Sequence, residues 1–338
     1  MEAKAFHDNH FNSIQGLRAI AALFVILEHI RFLNCGAFGV DIFFCISGFM
    51  IMFSTHRSTG HFMKKRLIRI LPLYYLMTVG TFLLLLLFPS MFEQTTAKPI
   101  FLIKSLLFIP FDIGGGVLQP LMRIGWTVNC EIFFYLLFYL AFHISHRYRG
   151  LICSSFLALL VLLNQVLPHD FAPLRFYGDY VMLEFVLGIL CYYAAQWLYS
   201  LHQNGKLPSI SSPLCLLAAI GIWILLTITK PTINILEFRR LIYWGIPAML
   251  LVLCAFIAGL TIQTPKLLVK LGNISFSIYL IHYYPVMLLD RAIFDFSSAT
   301  PFSIFGVILS LVVCLILSYV TWYLIENRLT KLLLTKCI

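Results

Sequence analysis

The sequence predicts an all-α polytopic membrane protein with about ten transmembrane helices and no soluble domain. Three observations carry this. Hydrophobic residues make up 61% of the 338 and charged residues 11%, whereas a soluble globular chain carries about 25% charged residues. The mean hydropathy is +0.92. Apolar runs of roughly 20 residues, the length that spans a bilayer as a helix, recur along the whole chain and leave only short loops.

The runs lie at about 15–33, 37–54, 71–90, 126–143, 151–167, 179–199, 213–229, 241–261, 272–290 and 303–325. The segment before the first has no basic leader, and that run contains Glu28 and His29 without a clear cleavage site. It therefore reads as a retained helix, not a removed signal peptide. The segment at about 91–125 carries the apolar stretch Ile100–Phe111 and then Gly114, Gly115 and Gly116. A short interfacial or re-entrant helix followed by a flexible turn is expected there.

The 24 Lys and Arg against 14 Asp and Glu give a net charge of +10. In a chain this apolar the excess reads as basic cytoplasmic loops, and nucleic acid is set aside as a partner. An even number of spans puts both termini on one side. That side carries most of the basic residues, among them Lys4, Arg18, Arg57, Lys64, Lys65, Arg66 and Arg69. Both the N-terminal segment 1–13 and the tail 326–338 are thus expected in the cytoplasm. The nine cysteines are scattered, with no CxxC pair and no His at metal-ligand spacing. They read as small core residues with no metal site.

Ionisable residues inside the bilayer are costly and mark function. His29, Asp41, Glu131 and Glu184 fall roughly 6–8 Å below the outer surface by the 1.5 Å rise per residue, with Glu28 beside them and His282 deeper. A shared layer implies a polar pocket open to the outer face. Arg18 and His29 are eleven residues apart, close to three turns, and so share one face of the first helix roughly 16 Å apart. His29 beside a carboxylate is the usual apparatus for taking a proton from a hydroxyl. Asp41 is the first expected partner and Glu131 the second, while Glu28 is expected to pair with Arg31 or Arg123. Arg66 and Arg69, three apart on a juxtamembrane helix, leave two readings: a clamp for a phosphate-bearing ligand or an anchor for anionic lipid headgroups.

Five stretches, in order, resemble the membrane-bound acyltransferase 3 family, especially its exopolysaccharide and O-antigen acetyltransferases. They are Ile14 to Ala22 running to His29, Phe38 to Met50, Lys65 to Tyr74, Trp126 to Tyr135, and Ser275 to His282. Arg18 and His29 match the family's Arg-x10-His motif, Arg66 and Arg69 its Arg-x-x-Arg motif, and Ser47, Gly48 and Phe49 its Ser-Gly-Phe motif. The resemblance implies a single transmembrane acyltransferase domain over 1–338, multi-pass in the inner membrane. It implies transfer of an acyl group, usually acetyl, from cytoplasmic acyl-CoA to a sugar hydroxyl of a carbohydrate or lipid-linked saccharide. Acetyl-CoA is then a cosubstrate and no cofactor is permanently bound.

On that reading Arg18, Arg66 and Arg69 bind acyl-CoA, His29 is the general base oriented by Asp41 or Glu131, and Ser47, Glu184 and His282 position acyl group or substrate. Ser47 has a second reading, as a small residue that lets helices approach at Gly48. Cys45 and Cys130 are set aside as acyl carriers, because buried thiols in apolar surroundings are inert. The rival function is a transporter or flippase of a polar lipid-linked saccharide, against which the sequence lacks paired Gly/Pro-broken repeats.

Overall fold

The computed structural model describes residues 6, 11–56, 61–92, 96–167, 170–208, 210–229 and 238–337. Lys4 and Arg57 of the basic set lie outside the described residues. Among those described, the regular elements are all helical, and an isolated bridge between Asp112 and Leu118 closes the glycine turn predicted after the interfacial segment.

In chain order the helices are α1 (Asn12–Glu28), α2 (Gly39–Ser54), α3 (Phe62–Leu87), α4 (Pro99–Leu106), α5 (Trp126–Ile144), α6 (Arg149–Val166), α7 (Ala172–Tyr177), α8 (Leu183–Gln203) and α9 (Ser211–Thr229). They continue with α10 (Phe238–Ala258), α11 (Lys266–Asn273), α12 (Ser275–Ile281), α13 (Tyr283–Leu289) and α14. The last runs from Pro301–Thr321 through a π-helical stretch, Trp322–Leu329, into Thr330–Cys337. The tail expected from residue 326 is therefore a continuation of the last helix.

Among the described residues seven helices, α3, α5, α6, α8, α9, α10 and α14, are long and apolar enough to cross a bilayer. The other three expected spans are shorter: α1 has 17 residues, α2 has 16, and the run at 272–290 is divided into α12 and α13. The division has a local cause. Pro285 has no N–H and its ring crowds the carbonyl four residues earlier, at Ile281, so the ladder is interrupted at His282. Pro72 inside α3 likewise has no N–H, though the helix runs on through it, and the Ile68 carbonyl four residues earlier accepts a 3.5 Å hydrogen bond from Thr330 of α14. The start of α3 and the end of α14 are thereby tied together.

Large apolar side chains such as Leu83, Leu87, Leu162, Leu217, Ile228 and Phe305 are exposed, as expected of a surface solvated by lipid. Packing inside such a bundle depends on close approach. The contact of α2 with α8 is close from both sides: a Cβ on Gly48 would lie 2.2 Å from the Phe185 carbonyl oxygen, and one on Gly188 would lie 2.1 Å from that of Cys45. In the Ser-Gly-Phe stretch it is the glycine that permits close packing. We predict that Gly48→Ala or Gly188→Ala forces the two backbones apart and costs about 1–3 kcal/mol, seen as a lower melting temperature in detergent. An unchanged melting temperature for both would show that the crossing is not tight.

Candidate active site

A cavity of about 280 Å³ lies between α1, α2, α3, α5 and α12. Its lining on α2 runs from Val40 to Met50, ten residues or about 15 Å of helix. The Arg-x-x-Arg pair, Arg66 and Arg69, stands at the cavity with Lys65, and Arg18 joins them from α1. Ser47, Glu131 and Tyr135 line the same space. Sequence reasoning grouped the three arginines by motif; the fold brings them to one wall.

The electrostatics at that wall are uneven. The Tyr135 hydroxyl donates to Glu131 Oε1 at 2.5 Å, and the Ser47 hydroxyl donates to the same oxygen at 3.0 Å. Arg66 lies over the Tyr135 ring at 5.3 Å from its centroid, and donates to Ser54 Oγ at 3.2 Å and to the Met50 carbonyl at 3.5 Å. Arg18 and Arg69, by contrast, have no hydrogen bond or ion pair among the described residues. The Ser275 hydroxyl and Gln15 Oε1, on residues that also line the cavity, are buried without partners. Polar groups left unmatched in a buried space cost stability, and two unpaired guanidinium groups suit an anionic ligand.

His29 and His282 lie beyond the cavity. Tyr279 lines it, and His282 follows Tyr279 by about one turn of helix. His282 Nε2 is 3.2 Å from His29 Nδ1, with the rings 4.9 Å apart at 68°. His282 is fully buried and His29 partly so.

Several sequence expectations need correction here. Asp41 does not orient His29: both its oxygens are held by Arg240, at 3.0 Å each, in a buried bidentate pair. Glu184 belongs to the same buried group, with Oε1 3.8 Å from Arg240 Nε and no hydrogen bond to either oxygen, so it does not line the cavity as a substrate-positioning group. The Arg240 guanidinium is also flanked by Trp126 and Trp244, with ring centroids at 5.7 Å and 5.4 Å. The single outer layer inferred from depth is thus three separate clusters: the histidines, the Asp41–Arg240–Glu184 group, and Glu131 with its hydroxyl donors. Glu131, the second expected partner of His29, is held by Ser47 and Tyr135 instead.

Arg31 pairs with Asp290 at 2.7 Å and Asp295 at 2.5 Å rather than with Glu28. Glu28 accepts a 3.1 Å bond from the Ala37 amide.

Three residues near these clusters were missed. Tyr135 was legible, four residues after Glu131 on one helical face. Arg240 fell just before the predicted start of its helix and counted as a loop charge. Glu326 fell in the predicted tail, and its carboxylate accepts a hydrogen bond from Ser277 of α12.

A bilayer-spanning helical bundle with a basic cavity and a histidine pair beyond it fits a membrane-embedded group-transfer enzyme. The acyltransferase domain family model matches residues 11–319, and the chain belongs to that family; it is an acyltransferase that transfers groups other than aminoacyl groups. It is 29% identical over 285 residues to the exopolysaccharide production protein ExoZ of Rhizobium meliloti, covering 81% of this chain and 84% of that protein. It is 26% identical over 365 residues to the putative peptidoglycan O-acetyltransferase YrhL of Bacillus subtilis, covering 97% of this chain and 56% of that protein. The O-acetyltransferase OatA of Staphylococcus aureus matches at 29% identity over 189 residues, 50% of this chain and 31% of that protein. No solved structure matches.

Proposed function

We propose that the protein transfers acetyl from acetyl-CoA to a sugar hydroxyl of an exopolysaccharide or O-antigen precursor, with His29 as general base. The observation that carries this reading is one cavity that gathers Arg18, Arg66 and Arg69 at a basic wall and ends about one turn short of His29 and His282. Coenzyme A presents phosphates followed by a long, narrow pantetheine arm. The phosphates would sit at Arg66, Arg69 and Lys65, and the arm would run along the Val40–Met50 face of α2. The relatives named for O-acetylation and exopolysaccharide production support the polysaccharide acceptor.

In the reaction, the acceptor O–H proton passes to His29 while its oxygen attacks the thioester carbonyl. A new C–O bond forms, the C–S bond breaks, and coenzyme A leaves as a thiolate that takes the proton from His29, which regenerates the base. The basic wall fits the cytoplasmic side, where acyl-CoA is available, so the start of α1 and the end of α14 would both face the cytoplasm of an inner-membrane protein. A flippase would need the cavity to pass the saccharide itself and would consume no acetyl-CoA.

The donor clamp has its own test, in inverted membrane vesicles of the source organism, which carry the native acceptor, supplied with radiolabelled acetyl-CoA. Arg66→Lys and Arg69→Lys should raise the KM for acetyl-CoA several-fold at equal protein amounts, because a lysine cannot reproduce the planar, multi-donor contact with phosphate. Lysine variants with the parent KM would return both residues to headgroup anchoring. No acetyl-CoA consumption by the parent vesicles would favour the flippase.

A further inference from the structure

We infer that His282 is the residue that positions His29, fixing it in the tautomer whose Nε2 nitrogen accepts the substrate proton. This rests on the reading of His29 as the base, and it moves His282 from substrate positioning to positioning of the base.

The partners assign the protons. His282 Nδ1 lies 2.6 Å from the Tyr279 carbonyl oxygen and 3.3 Å from that of Ile278. A carbonyl only accepts, so His282 carries its proton on Nδ1. In the neutral ring Nε2 is then an acceptor. His29 Nδ1 faces that acceptor at 3.2 Å and the Val25 carbonyl oxygen at 3.0 Å. With two acceptors in front of it, His29 Nδ1 must hold the proton, which leaves Nε2 as the basic nitrogen. The Tyr283 ring, 5.4 Å away and nearly perpendicular at 86°, borders the imidazole on another side.

The chain places His282 where it can do this. The interruption of the ladder that Pro285 imposes falls at His282, between α12 and α13, and its fully buried side chain bonds back onto the preceding turn. The same turn carries Tyr279, which ties α12 to α5 through a 2.8 Å bond from the Thr127 hydroxyl and donates to the Ile124 carbonyl at 3.1 Å. His282 is therefore held on both sides while His29 is only partly buried. A carboxylate would also fix the tautomer, as in hydrolase triads, but here Asp41 is engaged with Arg240 and Glu131 with Ser47 and Tyr135. When His29 takes the proton, its Nδ1–H becomes a charge-assisted donor to His282 Nε2 and Val25. The orienting bond is then strongest when the base is charged.

The test compares His282→Gln, His282→Asn and His282→Leu with His29→Ala in the same vesicles, after each variant is matched for folded protein by size-exclusion chromatography. Glutamine keeps an acceptor at about the reach of Nε2; asparagine places it at the reach of Nδ1; leucine has none. Leucine and asparagine should lower kcat by about 100-fold, the scale of losing a reactive group's alignment, with the KM for acetyl-CoA unchanged. Glutamine should recover most of that loss. If leucine misfolds, glutamine against asparagine decides. A glutamine variant as slow as asparagine, or a folded leucine variant with the parent kcat, would overturn the positioning role. An active His29→Ala would instead overturn the reading of His29 as the base.

Discussion

His29→Ala should leave the protein inserted and folded while cutting acetyl transfer by about 10² to 10⁴, the range for losing a general base. His29 lies past the end of α1, with its Nδ1 bonded back to Val25 and its ring against His282 and Tyr283, so the substitution falls outside the regular turns of the helix. The variant should therefore keep its melting temperature within a degree or two of the parent's while its turnover collapses. The expected pattern is a fall in kcat at unchanged KM for acetyl-CoA, since the arginines that would hold the donor lie at the basic wall, roughly 16 Å along α1 at Arg18. Acetyl esters on the surface polysaccharide, measured beside membrane protein level, give the same answer in cells. Near-normal acetylation at matched level would remove His29 from the mechanism. It would leave Glu131, which lines the cavity with one oxygen held by two hydroxyls, as the alternative base.

What the sequence made legible and what it hid differ by dimension. Position along a helix can be read from spacing: Arg66 and Arg69 meet at one wall because three residues nearly complete a turn, whereas His29, expected on one helical face with Arg18, lies just past the end of α1. The interfacial helix before the triple glycine follows equally from composition, and α4 lies there. Partners across helices cannot be read that way. Shared depth, and for Asp41 the short connection to the neighbouring helix, match Asp41 and then Glu131 to His29, yet neither says which neighbour a side chain faces. Asp41 turns to Arg240, 199 residues away in sequence, and Glu131 turns to Ser47. The histidine pair was hidden for the same reason, since His282 is 253 residues from His29. Span lengths failed where the backbone departs from a regular helix. The run at 272–290 is apolar enough to suggest one span, and only Pro285 signals its interruption; the run at 303–325 gives no sign of the π-helical stretch that carries the last helix on past Glu326.

The buried charge group should dominate stability. Arg240 is held by Asp41, lies near Glu184 and is flanked by two tryptophans, all within the bundle. Such a group is not stabilising merely because it is paired, since desolvation offsets the attraction; but removing one partner strands the others without compensation, at about 3–5 kcal/mol. Arg240→Ala leaves two buried carboxyl groups facing each other and should show the full loss, as a large drop in melting temperature or failure to accumulate in membranes. Arg240→Lys keeps the charge but not the bidentate fork or the flat contact with Trp126 and Trp244, so it should fall between. Asp41→Asn separates this role from catalysis. If Asp41 serves the fold, the variant loses stability while the folded fraction keeps far more activity than His29→Ala. Adding Asp41→Asn and Glu184→Gln to Arg240→Ala should restore part of the loss, because the stranded charges go together. An Asp41→Asn protein with the parent's melting temperature and the activity of His29→Ala would return Asp41 to the catalytic apparatus.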